Sequence, residues 1–354
     1  MISINTQELM GVLEATPASQ NIMLVGRHGI GKSQILTQYF EGKGMKVQSL
    51  FLGQMSDPGD LIGLPKMNPE TGRTEFSMPY WFPTDGKPIV LFLDELNRAR
   101  PEVLQSVMDL ALNRKLSGRA LPEGSRIISA VNDGEAYQLT DLDPALVSRF
   151  NIYEFSPTVE EWLLWAEQSK IDKRVVAFIA QHHDCLDVFD AKISDSCLEK
   201  TPDRRAWHKV SDAIQGVKEF DNMARSLVAG IIGLATTQKF FAFLRLDKKV
   251  DGYKLLTDFD KCASLLEKYS LADFALLDES IFRTLETHDF TKDKVAKVTA
   301  NLLKYVETCL RPRKELMAHF VSCYKNNLYT KARTFILLNA KSLSMEIKDY
   351  IMNM

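Results

Sequence analysis

Residues 26 to 33, Gly26-Arg27-His28-Gly29-Ile30-Gly31-Lys32-Ser33, fit the pattern of Gly, four residues, then Gly-Lys-Ser/Thr. Such a stretch can hold a polyphosphate. Gly26 and Gly31 admit backbone angles closed to residues with side chains, so successive N–H groups can turn towards an anion. Lys32 brings a point charge to the β- and γ-phosphates, and the Ser33 hydroxyl can ligate Mg²⁺. A helix starting near Lys32 and running through Gln34 would aim the positive end of its dipole at the same place. The candidate nucleotide contacts are therefore Gly26, Arg27, His28, Gly29, Ile30, Gly31, Lys32, Ser33 and Gln34.

Three more polar residues stand at the ends of apolar runs. Ile89-Val90-Leu91-Phe92-Leu93 runs into Asp94-Glu95, and Arg126-Ile127-Ile128-Ser129-Ala130-Val131 runs into Asn132. Buried parallel strands read this way, and ligands of open α/β sheets sit at the carboxyl ends of the strands. Asp94 would join Ser33 in the Mg²⁺ shell, and Glu95 would polarise the water that attacks the γ-phosphate. Asn132 could orient that water from the opposite side.

The elements that must position these groups alternate. Asn21 to Val25 reads as a buried strand entering the loop, and Ser33 to Phe40 as an amphipathic helix leaving it, apolar at 35, 36, 39 and 40. Residues 1 to 20 read as one helix and a loop. Val47 to Leu52 is a second strand, followed by a turn-rich segment over 56 to 63. Asn68 to Gly72 reads as a hairpin tip that leads to the aromatic stretch 78 to 83. A helix from Pro101 to Leu112 precedes a second hairpin over Leu116 to Gly124. Leu142 to Phe150 carries Arg149 on a short helix, and Ile152 to Phe155 closes the pattern. The expectation is an α/β fold, a parallel sheet with helices on both faces. Beyond Ser156-Pro157 the periodicity is helical only.

Composition excludes several classes. The 354 residues are 45% hydrophobic and 25% charged, as in ordinary soluble proteins with room for more than one domain. A net charge of −2 offers no basic field for nucleic acid or anionic lipid. Cysteines 185, 197, 262, 309 and 323 form no CxxC pair, which suits a reducing compartment. His182-His183-Asp184-Cys185 lacks a second ligand pair, so no metal site is assigned there. The amino terminus has no signal-peptide order, and Leu227 to Ala235 is too short to span a bilayer. A cytoplasmic protein is expected.

Taken together, these residues resemble an AAA+ ATPase, and within that class the MoxR-type, dynein-related branch. The likeness rests on the phosphate loop, Asp60-Leu61-Ile62-Gly63, the insert at 68 to 83 and Asp94-Glu95-Leu96-Asn97-Arg98. It rests also on the second hairpin before Asn132, on the Pro144-to-Phe150 element and on a helical tail with Arg205. It covers residues 20 to about 220 and fades beyond them.

The resemblance implies a P-loop NTPase domain at 1–155, an all-helical lid at 156–220 and a helical C-terminal region at 221–354. It makes Lys32 and Ser33 the Walker A pair, Asp94 and Glu95 the Walker B pair, and Asn132 the sensor 1 residue. Arg149 becomes an arginine finger for a neighbouring subunit. Arg205 becomes the sensor 2 arginine, with Arg204 beside it leaving that assignment open by one residue. It also implies ATP with Mg²⁺, a homo-oligomeric, hexameric ring, and a protein partner carrying a von Willebrand factor A domain.

Two rivals remain at this point. A DNA-directed AAA+ initiator or helicase loader would want a basic stripe or a DNA-reading motif, and none is evident. A nucleotide-controlled switch would need neither Glu95 as a base nor Arg149 as a finger.

Overall fold

The structure, a computed structural model, describes residues 1–132, 142–188, 200–217, 220–246 and 249–352. Cys197 lies outside these residues. The chain forms two compact units, Met1–Thr158 and Val159–Met354.

In the first unit the elements follow the chain as β1 (Ile2–Ile4), α1 (Thr6–Ala15), β2 (Asn21–Val25), α2 (Lys32–Gly42), β3 (Lys46–Phe51) and α3 (Pro58–Ile62). Next come β4 (Pro65–Met67), β5 (Thr74–Phe76), β6 (Ile89–Asp94), α4 (Pro101–Asn113), β7 (Lys115–Leu116) and β8 (Arg119–Ala120). β9 (Arg126–Val131), α5 (Pro144–Val147) and β10 (Phe150–Phe155) complete it. Six strands form one parallel sheet in the order β1-β10-β2-β9-β6-β3. Alternate side chains of the central strands serve opposite cores. Ile22, Leu24, Val90, Phe92, Ile128 and Ala130 join α1 and α2 on one face. Met23, Leu91, Leu93 and Ile127 pack with Val103, Val107 and Leu110 of α4 on the other. Helices on both faces explain why these strands are continuous apolar runs.

Two short elements escaped the sequence reading. Residues 1 to 20 hold a strand as well as the expected helix, with Ile2 to Ile4 pairing against Tyr153 to Phe155. Three residues are too few for a period to show. Within the turn-rich segment, α3 forms because Asp57 and Asp60 make a capping box around Pro58. The two expected hairpins are present as β4–β5 and β7–β8. Asn68 shapes the first tip by accepting from the Glu70 and Thr71 N–H groups at 2.9 and 3.2 Å. Arg119 of β8 donates to the Phe76 carbonyl at 2.6 Å and so ties the second hairpin to the first.

In the second unit α6 (Val159–Gln168), α7 (Lys173–Gln181), α8 (Arg204–Ile214), α9 (Asn222–Ile232) and α10 (Leu234–Leu246) enclose one core around Trp162, Phe178, Trp207 and Phe240. α11 (Gly252–Thr257), α12 (Phe259–Leu266), α13 (Leu271–Thr287), α14 (Lys292–Tyr305), α15 (Lys314–Lys325), α16 (Thr330–Asn339) and α17 (Lys341–Met352) enclose another. Arg283 of α13, only 5% exposed at its side chain, joins the two by donating to Glu167 of α6 at 3.1 Å.

The second core holds a polar group. The Asp278 carboxylate, fully buried, accepts from the Tyr305 hydroxyl at 2.7 Å and lies 3.2 Å from Nδ1 of His319. The hydrogen bond to Asp278 raises the His319 pKa above its usual 6.5. Folding therefore favours the imidazolium, and its contribution is complete below the unfolded value and lost as pH rises through the folded one. His319→Gln should lower the melting temperature more at about pH 6 than at about pH 9. An equal loss at both pH values would show that His319 acts by packing alone.

Candidate active site

The carboxyl ends of β2, β9 and β6 lie side by side, and each delivers one part of the site. β2 passes into the phosphate loop, β9 into Asn132, and β6 ends in Asp94. Gly26 donates its N–H to the Val131 carbonyl at 3.1 Å, and a Cβ there would stand 2.8 Å from the Phe155 carbonyl oxygen. Space between the ends of β9 and β10, not an unusual φ, therefore requires glycine at 26. The left-handed backbone is found at Gly29 and Gly31, with φ of 78° and 95°. Gly31 opens α2 without a side-chain cap. The first-turn N–H groups of α2 thus face the loop, as anion binding requires. The Ile30 side chain packs into the core, so a phosphate can meet only its backbone. Arg27, His28 and Gln34 are exposed.

Lys32 is 6% exposed, and its ammonium donates to the Gly26 carbonyl, to the Arg27 carbonyl at 2.8 Å and to Oδ1 of Asn132 at 3.0 Å. The loop lysine and the candidate water-orienting amide are therefore in direct contact. Ser33 Oγ donates to Oδ2 of Asp94 at 3.0 Å. The Glu95 N–H donates to Oδ1 of Asp94 at 3.0 Å. Burial raises the Asp94 pKa, against the pull of Ser33, of that N–H and of the Lys32 charge. The Ser33 hydroxyl and Asp94 carboxylate together form a small set of hard oxygen donors, which fits Mg²⁺.

Glu95 sits just past the strand in a left-handed conformation, φ 55° and ψ 43°, which costs a residue with a Cβ about 1–2 kcal/mol. Both of its carboxylate oxygens are forked by Nη1 of Arg98, at 3.0 and 3.1 Å. Arg98 thus sets the direction of the candidate base. Arg149 lies one residue beyond the Ser148 cap of α5, just before β10, and is exposed. Arg205 lies in the second unit, exposed on the first turn of α8, while its neighbour Arg204 donates to Asp187 at 2.9 Å. Asp203, which departs from the family pattern, caps α8 by accepting the Ala206 N–H at 2.6 Å.

Arg98 and a second residue of the site, Asn97, have no role assigned from sequence. Asn97, 3% exposed, donates to the Asn132 carbonyl at 2.8 Å, and its Oδ1 accepts the Asn132 N–H at 3.3 Å. This clamp fixes the backbone from which the Asn132 side chain reaches Lys32. Its trace in the sequence is its place in the Asp94-Glu95-Leu96-Asn97-Arg98 run, which gives it no role by itself.

A buried loop lysine, a Ser–Asp pair and an amide on the adjacent strand, all at the carboxyl edge of a parallel sheet, are the arrangement of a P-loop NTPase fold. Residues 21–150 match the model of the AAA domain, dynein-related subfamily. A curated relative, the chaperone-named BssE of Thauera aromatica, is 26% identical over 182 residues. That match covers 48% of this chain and spans 61% of the relative's length. Among solved structures, a protein of Cytophaga hutchinsonii named as an ATPase aligns at 15% identity and a TM-score of 0.32, covering 84% of this chain and 74% of its own. A Thermotoga maritima RuvB mutant aligns at 16% identity and a TM-score of 0.37, covering 77% and 79%. Scores this low carry no weight for function.

Asn97→Ala should leave nucleotide binding within a few-fold and lower turnover about tenfold or more, because a loosened Asn132 misplaces the groups around the γ-phosphate. Turnover equal to wild type would remove Asn97 from the site.

Proposed function

We propose that this protein is a MoxR-type remodelling ATPase that works as a homo-oligomeric, hexameric ring on a protein partner. The observation that carries the reading is the Lys32–Asn132–Asn97 chain beside the Ser33–Asp94 pair, within a domain of the AAA class. In this reading the loop from Gly26 to Gln34 binds ATP. Ser33 and Asp94 hold Mg²⁺, which when bound neutralises phosphate charge. Lys32 bears on the β- and γ-phosphates. Glu95 takes a proton from the attacking water, and Asn132 orients that water.

Arg149 is the finger for a neighbour's γ-phosphate in this proposal. Its exposure beyond α5 supports a role outside its own chain. Arg205 is the sensor 2 arginine of a lid at 156–220. The pairing of Arg204 with Asp187 favours Arg205 over its neighbour. The protein partner is supported by the chaperone named among the relatives, and a von Willebrand factor A domain is the partner the MoxR likeness implies. Among the described residues no helix is long and apolar enough to cross a membrane. A cytoplasmic location is part of the proposal.

An arginine finger contributes about 10³ to 10⁵ in rate. Arg149→Ala and Lys32→Ala should each be nearly inactive alone, and mixing them should restore part of the activity. Restoration arises where an Arg149-bearing subunit faces an intact loop. A mixture that forms mixed oligomers yet stays inactive would overturn the finger in trans.

The β4–β5 hairpin is polar, exposed at its tip and outside the sheet. Deleting residues 68 to 73 should leave basal hydrolysis within a few-fold and abolish its stimulation by the partner. Unchanged stimulation would place the partner elsewhere, and loss of basal hydrolysis would make the hairpin part of the fold.

A further inference from the structure

Asn21 is the first residue of β2, 5% exposed, far along the strand from the phosphate loop that the same strand feeds. An amide buried this deeply must place its donors and acceptor well or destabilise the sheet. It places all three. Nδ2 donates to the Ala111 carbonyl at 2.8 Å and to the Arg149 carbonyl at 3.1 Å. Oδ1 accepts from Nη1 of Arg114 at 3.2 Å. One side chain therefore joins the last turn of α4, the residue after α4 and the backbone of Arg149.

Arg114 is itself a junction. It ends α4 in a left-handed conformation, φ 53°, and its N–H donates to the Leu110 carbonyl at 3.0 Å. Its guanidinium donates to the carbonyls of Ser19, at 3.3 Å, and of Ser125. Its own carbonyl accepts the Leu121 N–H at 2.9 Å, which closes the base of the β7–β8 hairpin. A displacement of that hairpin reaches Arg114 through this bond, and Asn21 through the next. From Asn21 it reaches the Arg149 carbonyl, one residue before the Phe150–Asn21 pair of β10 and β2.

We propose that Asn21 is a positioning residue for the finger: it fixes the backbone of Arg149 and couples it to the β7–β8 hairpin. The inference rests on the reading of Arg149 as a finger in trans. Under it, Asn21 governs the site of the neighbouring subunit and not the site of its own chain. A merely structural amide at the start of β2 would disturb its own phosphate loop at least as much.

The mixed-oligomer assay separates these cases. Lys32→Ala subunits give the finger, and Arg149→Ala subunits give the intact loop. Asn21→Ala is added to one or the other, and oligomer formation is checked by sedimentation. In the finger-giving subunit it should lower the restored activity about tenfold or more, since a small misplacement of a catalytic group has effects of this size. In the loop-giving subunit it should leave that activity within about twofold. Equal losses in both arms, a loss only in the loop-giving arm, or no loss in either would overturn the proposal. Failure of the parent pair to restore activity would instead reject the finger in trans, and this inference with it. Should Asn21→Ala not fold, Asn21→Asp has the same shape and cannot donate to Arg149, and it is put through the same two arms with the same criteria.

Discussion

A buried ammonium must find acceptors in fixed places, and Lys32 imposes that constraint on the whole first unit. Its 6% exposure excludes solvation by bulk water, so Gly26, Arg27 and Asn132 must supply oxygens within about 3 Å. Two of those oxygens belong to the loop itself, and the third is at the end of the neighbouring strand. The sheet order follows from the need to bring them together. β9, which comes late in the chain, inserts between β2 and β6 so that Asn132 stands between the loop and Asp94.

The same constraint makes the polar layer at the sheet edge cooperative. Asn132 can serve Lys32 only if its backbone is held, and Asn97 holds it from the turn after β6. Ser33, one residue beyond the lysine, reaches Asp94 on that same strand. The three strand ends are therefore cross-linked by side chains whose own geometry depends on the others. Burial strengthens each of these bonds and raises the Asp94 pKa. Glu95 stands apart from this layer. Its left-handed backbone and its fork with Arg98 hold the carboxylate in a direction of its own, so the group read as the base is also the one with a separate restraint.

At the opposite end of the sheet, asparagine does comparable work at a distance from any phosphate. Asn21 and Arg114 gather the start of β2, the end of α4, the hairpin after it and the backbone before β10. β2 thus begins in one polar junction and ends in another, with the buried Ile22, Met23 and Leu24 and the half-buried Val25 between them.

Much of this was determined by sequence alone, for a local reason. A phosphate loop is a contiguous motif, and buried parallel strands are contiguous apolar runs, so Gly26 to Ser33, Asp94-Glu95, Asn132 and the α/β class could be read residue by residue. The helical character beyond residue 156 followed from periodicity in the same way. What tertiary structure alone decided concerns groups that meet across the chain. The requirement for glycine at 26 comes from the Phe155 carbonyl, more than a hundred residues away, and no property of the loop predicts it. β1 exists because β10 offers it a partner, since three residues cannot hold an extended conformation by themselves. Asn97 stands in the sequence within the Asp94-to-Arg98 motif and Asn21 as an ordinary amide, and neither position shows what its side chain meets. Their roles arise from hydrogen bonds at separations of 35 to 128 residues, and such distances are closed only when the sheet assembles.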